Sequence, residues 1–209
     1  MECTYCHANN EGLRSLCSVC GRVIERGAIV ALRGPERVED AERWDVRADL
    51  VRAAKLGAGL SAIVEPARST RVLLTSKPVF DDLAIEVKAQ VTSDQEDKAA
   101  GFALDVRVQG RSLYRAEALL SGWYRINRVD EGASTVLARI KALDRAITSP
   151  RILRLEARGD RLRLAVDGEL LLSLRDDRHR FGAARVVAIP GDHETINLEW
   201  SALSIVAPA

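Results

Sequence analysis

The chain has 209 residues with 31 basic and 30 acidic side chains, and this balance argues against the basic excess of a general nucleic-acid-binding protein. Its length suits one modest domain together with a small one. We find no apolar run near the ~18 residues that a bilayer span requires. Aromatic residues make up only 4% of the chain, so few side chains are candidates for stacking on a ligand.

All four cysteines lie at the start of the chain, as Cys3, Cys6, Cys17 and Cys20. They form two C-x2-C pairs, and each such pair curls the backbone so that both thiolates point at one centre. Four thiolates complete the tetrahedral coordination of zinc and leave no position for water. The sequence therefore predicts one structural Zn²⁺ site in a small head over residues 1–25.

This segment resembles the short bacterial zinc ribbon, although His7 stands where that family usually has glycine. The same residues also spell C-x-x-C-H, the haem attachment motif, but haem attachment requires export and would leave the second cysteine pair unexplained. Two disulfides would need an oxidising compartment. No export signal precedes Cys3, and a zinc site needs reduced thiols, so we expect a cytoplasmic protein.

Residues 26–58 are expected to form a linker. Gly34-Pro35 breaks any regular element there. The apolar residues that follow are compatible with one face of a short helix, and Trp44 is a candidate for anchoring the segment to the rest of the protein. The helical face would comprise Val38, Ala41, Ala48, Val51 and Ala54.

From residue 59 onwards the apolar residues recur at every second position, which predicts strands with one buried and one solvated face. Turn signals at Gly159-Asp160, Asp167-Gly168 and Pro190-Gly191 separate them. On this pattern Asp105 and Arg107 face solvent, and Arg154, Glu156 and Arg158 lie across a hairpin from Arg161 and Arg163 as a soluble ladder. The clearest alternating segments are 83–91, 102–108, 153–157 and 162–166.

Two positions make specific predictions about strand register. Leu164 faces Leu171 if the Asp167-Gly168 turn has two residues, and faces Leu172 if one residue is added; the sequence leaves both open. In the last strand the apolar parity changes between Trp200 and Leu203, which predicts a bulge near Ser201.

About ten to twelve short strands without helical crossovers predict a mainly β protein, an antiparallel β-sandwich over residues 59–209 behind the zinc head. Three stretches resemble the concanavalin A-like (laminin-G-like) jelly roll: Gly101 to Leu104, Gly122 to Arg128, and Arg154 to Gly168 with its Val-Asp-Gly ending. The resemblance implies a jelly roll. It also implies two functional alternatives, a glycoside-active enzyme related to keto-disaccharide hydrolases and a loop calcium site.

Catalysis by such an enzyme would need two carboxylates across the scissile bond. Acidic residues instead cluster at predicted turns, where they usually cap and solubilise, and Arg175 to Arg180 with His179 is most simply a solvated loop. We therefore name no catalytic residue. Hard oxygen ligands for Ca²⁺ would come from Asp94, Glu96 and Asp97, without further sequence support. The other turn acids are Asp130, Glu131, Asp176, Asp177, Asp192 and Glu194.

Sugar binding relies on aromatic planes with polar groups at their edges. Tyr114, Trp123 and Tyr124 are expected on adjacent strands, with Arg125 beside them. Alternation sends Trp123 and Tyr124 to opposite faces, so one of the two is expected at an exposed face or rim. The competing interpretation is that Trp123, Phe102 and Trp200 fill the core.

The sequence thus favours a non-enzymatic interaction protein, in which a zinc-ribbon docking head precedes a β-sandwich that recognises a protein or a glycan. Two alternatives remain: a carbohydrate-active enzyme related to keto-disaccharide hydrolases, and a nucleic-acid-binding ribbon using Arg14, Arg22 and Arg26. The balanced charge argues against the second.

Overall fold

The computed structural model describes residues 28–33, 42–47, 49–53, 59–67, 69–93, 99–193 and 195–208. These ranges are mainly β-strand, and within them no helix is long and apolar enough to cross a membrane. A 3₁₀ turn at Leu143–Arg145 precedes β11. The strands are β1 Ala28–Arg33, β2 Trp44–Val46, β3 Val51–Ala53, β4 Leu60–Val64, β5 Arg71–Ser76, β6 Leu83–Ser93, β7 Gly101–Gln109, β8 Ser112–Leu119, β9 Trp123–Asp130, β10 Ala133–Lys141, β11 Arg151–Arg158, β12 Arg161–Val166, β13 Glu169–Arg175, β14 Ala183–Ile189 and β15 Ile196–Pro208.

The strands form two antiparallel sheets, which confirms the β-sandwich jelly roll. One sheet has eight strands in the order β13-β12-β11-β6-β15-β4-β3, with β1 paired to β15, and the other has seven in the order β10-β9-β8-β7-β14-β5-β2. Strand β15 lies inside the first sheet, bonded to β6 on one side and to β4 and then β1 on the other. The core between the sheets includes Phe102, Tyr124, Trp200 and Trp44.

The described part of residues 26–58 forms three strands instead of a linker. β1 extends the eight-stranded sheet through β15, β3 pairs with β4, and β2 pairs with β5 in the other sheet. β2 and β3 are only three residues long, too short to show an alternating pattern in sequence. Trp44 in β2 is buried, as an anchor would be, and Val51 in β3 is buried too.

Both register questions are settled by bulges. The register of β15 against β6 shifts between Ser201 and Ser204, with Ala202 at φ 51°, so the predicted bulge is confirmed. At the other site the turn has two residues, but a bulge follows it and places Leu172 opposite Leu164. A bulge accommodates one extra residue in a strand, which explains how three consecutive leucines fit one ladder.

Several charged positions are less solvated than alternation predicts. Asp105 and Arg107, expected to face water, are 0% and 1% exposed. In the other sheet the cross-strand pairs of the predicted Arg/Glu ladder are present, Glu156 opposite Arg163 among them. Arg154 and Glu156 are nonetheless buried. Alternation assigns the faces of Glu156 and Arg163 correctly, but it does not report which charged side chains pair with one another and leave water. It fails at Arg107, where a bulge directs the side chain to the loops of the other sheet.

Candidate functional site

The outer face of the seven-stranded sheet carries an open group of charged and aromatic side chains where β8, β9 and β10 lie side by side. Strand register places Glu117 opposite Arg125, Arg125 opposite Arg139, and Trp123 opposite Lys141. Core residues such as Tyr124 and Ile126 alternate with them, so all five side chains share the outer face. We call this group the charged face: Glu117, Trp123, Arg125, Arg139 and Lys141.

Trp123 is the aromatic centre of the charged face. It opens β9 and is partly exposed, because its position alternates with buried Tyr124. The Arg139 guanidinium lies 5.4 Å and the Lys141 ammonium 5.8 Å from the ring centroid, both within cation–π distance. The indole is therefore a half-open plane with two exposed cations over it.

Arg125 and Glu117 form the polar part of the charged face. Arg125 Nη1 lies 3.8 Å from Glu117 Oε2, which is an ion pair but too long for a hydrogen bond. The side chains are 34% and 16% exposed. Arg125 Nε is buried and has no hydrogen-bond partner. The capacity to bind a ligand therefore lies with the terminal nitrogens of Arg125 and the carboxylate of Glu117.

Next to the charged face, Asp105 of β7 and Arg115 of β8 form a closed pair. Arg115 Nε donates to Asp105 Oδ1 at 2.7 Å and Nη2 to Oδ2 at 2.9 Å, while Nη1 donates to Thr70 Oγ1 at 3.2 Å. Burial lowers the pKa of Arg115, but its hydrogen bonds to Asp105 and the negative charges of Asp105 and Glu117 together outweigh this, so that pKa lies above its ordinary value. This pair fixes β7 against β8 behind the charged face.

The four residues singled out for ligand binding separate into two environments. Trp123 and Arg125 lie on the charged face, whereas Tyr114 and Tyr124 are buried in the core. The Tyr124 hydroxyl donates to the Arg145 carbonyl, and burial raises the pKa of Tyr124 to about 12. Trp123 is thus the member of the Trp123–Tyr124 pair that faces outward.

A hydrogen-bond network closes one end of the sandwich around Tyr114 and Asp176. Tyr114 Oη donates to Asp176 Oδ1 at 2.5 Å and accepts from the His179 amide at 3.1 Å. Arg128 bridges Asp176 Oδ2 at 2.7 Å and Asp130 Oδ2 at 2.8 Å. His179, expected in a solvated loop, is 8% exposed, since its ring packs 5.0 Å from Tyr114. Runs of charge in a sequence do not reveal such long-range partners.

Acid should weaken this end of the sandwich. Burial raises the pKa of Asp176, but hydrogen bonds from Tyr114, the Arg178 amide and Arg128 outweigh it, so its pKa lies below the ordinary value. The stability it contributes is therefore present above the unfolded pKa of about 3.9 and is lost as pH falls through the lower folded value. We expect Asp176→Asn to cost about 1–3 kcal/mol at pH 7.

Urea unfolding at pH 7 and pH 3 measures how much stability the wild type and the Asp176→Asn variant lose in acid. The variant should lose less stability between the two pH values than the wild type does. Asp177→Asn, at an adjacent carboxylate that is 71% exposed, is the control and should behave like the wild type. An equal pH dependence of wild type and Asp176→Asn would contradict the assignment.

A cavity of about 590 Å³ opens between the loops at one end of the sandwich, and Arg107 lies in its wall. Arg107 is buried and donates to the carbonyls of Asp81, Gly159 and His179, as well as to Asp82 Oδ1 at 3.2 Å. Burial lowers the pKa of Arg107. The remaining lining residues are Asp160, Asp177, Arg180 and Phe181.

The predicted metal sites lie outside the described residues. This holds for the four zinc ligands Cys3, Cys6, Cys17 and Cys20, and for the calcium candidates at 94–97. Within the described ranges no three His, Cys, Asp or Glu side chains are grouped so that they could hold a metal ion. The structural zinc site therefore stays a prediction.

No family model and no curated protein matches this chain. Solved structures do share its fold. A β-1,3-1,4-glucanase (lichenase) from a mouse hindgut metagenome has a TM-score of 0.63 at 12% identity, covering 85% of this chain and 99% of that one. The carbohydrate-binding module CBM66 from Bacillus subtilis has a TM-score of 0.60 at 17% identity, covering 78% and 94%. The Crh5 transglycosylase has a TM-score of 0.62 at 10% identity, covering 88% and 85%.

These similarities identify the fold as the jelly roll typical of concanavalin A-like glycoside hydrolases and carbohydrate-binding modules. They also correct the functional expectation from sequence. A non-enzymatic interaction protein with a zinc-ribbon docking head is contradicted, because the similar structures are glucanases, a transglycosylase and a carbohydrate-binding module.

Proposed function

We propose that this domain is carbohydrate-active and that its saccharide lies along the charged face. The observation that carries the proposal is Trp123, a partly exposed indole on a sheet face with Arg125 and Glu117 beside it. A sugar ring has apolar C–H faces and a rim of hydroxyls, so it suits an aromatic plane bordered by polar groups.

Each polar neighbour has a distinct task in this proposal. Glu117 accepts hydrogen bonds from sugar hydroxyls, and Arg125 donates through its terminal nitrogens, of which Nη1 lies 3.8 Å from Glu117 Oε2. Both side chains come from strands and not from loops, so the sheet holds them in place before the ligand arrives. The similarity to a glucanase, a transglycosylase and a carbohydrate-binding module supports a glycan as the ligand class.

Glycoside hydrolysis is the second candidate, favoured by two strand carboxylates on one face. Asp105 lies opposite Arg115, and Glu117 is two residues further along β8, so the two acids are diagonal neighbours. Diagonal neighbours have Cα atoms about 7–8 Å apart, so in this candidate function Asp105 lies beside Glu117 without reaching the sugar itself. Glu117 is the one that can reach a sugar, because Arg115 holds both oxygens of Asp105.

Binding is tested with β-1,3- and β-1,4-linked gluco-oligosaccharides and with oligouronates by isothermal titration calorimetry. Trp123→Ala should weaken the binding of whichever saccharide binds by about tenfold, the loss expected for a stacking contact of about 1.4 kcal/mol. Phe181→Ala removes an exposed aromatic that lines the end cavity and is the matched control. Equal losses in both variants, or no binding by the wild type, would refute the proposal.

Hydrolysis is tested separately with the same oligosaccharides and a reducing-end assay. Glu117→Gln should abolish cleavage while keeping saccharide affinity within a few fold, because the amide still bonds to hydroxyls but cannot exchange a proton as a carboxyl does. Cleavage that persists in Glu117→Gln would remove Glu117 from the catalytic role. Binding without cleavage by the wild type would exclude hydrolysis and leave recognition.

A further inference from the structure

We propose that the saccharide bound at the charged face carries carboxylate groups, as in a uronic-acid oligosaccharide. This inference rests on the proposed function and adds the chemical class of the ligand. The charged face holds three cations, Arg125, Arg139 and Lys141, against the single carboxylate of Glu117. Its net charge is therefore positive, although the chain as a whole is almost neutral at +1.

The guanidinium of Arg125 is paired less closely than those of three other arginines. Arg115, Arg128 and Arg151 each donate to a carboxylate at 2.7–2.9 Å. Arg125 by contrast reaches Glu117 only at 3.8 Å, and its Nε has no partner. The Arg125 guanidinium is thus held by its carboxylate less tightly than these three guanidinium groups are.

Arg139 and Lys141 extend the same pattern at the rim of the sheet. Both are exposed and stand over the Trp123 ring, and within the described residues neither forms an ion pair with a carboxylate. Register sets Arg139 beside Arg125 and Lys141 beside Trp123, so the cations border the aromatic plane on two rows about 7 Å apart along the strands. A sugar that stacks on the indole has to move these two exposed side chains off the ring, and their cationic groups would then lie at the edge of the sugar.

The charge of the ligand follows from desolvation. A neutral sugar laid on Trp123 would remove water from the Arg125 guanidinium and give it only neutral acceptors, which costs free energy. A uronate carboxylate would instead accept two charge-assisted hydrogen bonds from the same guanidinium. Its charge would also suit the exposed ends of Arg139 and Lys141.

A single-stranded nucleic acid is the competing polyanion, since it also stacks on aromatic rings beside basic groups. Glu117 lies 3.8 Å from Arg125 and repels any anionic group bound there, so the choice between the two polyanions depends on the neutral groups that each one offers to Glu117. A uronate offers hydroxyls as well, and Glu117 can accept from them.

The test compares trigalacturonate with a neutral galactotriose of the same length, by titration calorimetry at low and at physiological salt. Trigalacturonate should bind at least tenfold more tightly, and added salt should narrow the difference. The double variant Arg125→Gln/Arg139→Gln should lose the preference and bind the two trisaccharides about equally. Arg175→Gln, at an arginine 70% exposed on β13, is the matched control and should keep the preference. Circular dichroism confirms that each variant is folded.

The outcomes separate this inference from the proposed function. Equal affinity for the two trisaccharides, with a loss in Trp123→Ala, would overturn the anionic ligand and keep the saccharide face. If the wild type binds neither trisaccharide, both the anionic ligand and the saccharide face are overturned. Tighter binding of oligothymidylate than of trigalacturonate would overturn the uronate and identify the face as a nucleic-acid surface.

Discussion

Replacing Arg107 with alanine is expected to lower the free energy of unfolding by about 3–5 kcal/mol, the usual loss when one partner of a buried charged group is removed. Arg107 is 1% exposed, and its guanidinium joins the loops that carry Asp81, Gly159 and His179. Alanine would leave three carbonyls without their donor and a void in the place of the side chain.

Urea unfolding followed by tryptophan fluorescence measures the effect. Arg175→Ala on β13 provides a control, because that side chain is 70% exposed and should change stability by no more than about 0.5 kcal/mol. Arg107→Lys keeps the charge but loses the planar fork, so its loss should lie between those of the other two variants. A loss below about 1 kcal/mol in Arg107→Ala would show that the loops hold together without this residue.

The second large loss of stability is expected from a substitution at Gly182, the residue directly before β14. Its φ of 151° is unfavourable for any residue with a side chain. A Cβ at this position would lie 2.4 Å from the carbonyl carbon of Arg107 and 2.4 Å from the amide nitrogen of Val108. Backbone atoms of a neighbouring strand cannot move aside as a flexible side chain can. We expect Gly182→Ala to cost about 3–5 kcal/mol, the sum of the steric overlap and the strained φ.

Gly110→Ala separates the two causes. Gly110 also has a positive φ, 56°, but its Cβ would have nothing within 4 Å. This variant should lose only about 1–2 kcal/mol, the cost of the backbone conformation alone. Thermal unfolding of the two variants in parallel gives the difference between their losses of stability, which is the cost of the steric overlap. Similar losses at both positions would mean that the strands move apart without penalty.

The sequence predicted the features that depend on local alternation. The change of parity after Trp200 located the β15 bulge, because apolar residues must continue to face the core after an extra residue is inserted. The same rule placed Trp123 and Tyr124 on opposite faces. Alternation could not choose between Leu171 and Leu172, since a run of three leucines satisfies the core in either register.

Features that depend on distant partners were not predictable in this way. The acceptors of Arg107 lie 25 to 72 residues away along the chain, and the Tyr114–Asp176 bond joins positions 62 residues apart. Asp176 therefore had the sequence signature of a solvated turn acid, although it is a member of a buried network. The charged face was visible only in part, because Glu117, Arg139 and Lys141 join Trp123 through strand pairing and not through spacing along the chain.

The position of β15 has a consequence for how the protein is made. Residue Ile196 pairs with Ser93 of β6 and with Val64 of β4, so the strand that completes the interior of the eight-stranded sheet is the last of the described strands to be synthesised. Until it arrives, β6 and β4 expose unpaired backbone edges, the kind of surface on which nascent chains associate. During synthesis on the ribosome, β6 and β4 can therefore be joined in one sheet only after β15 has been made.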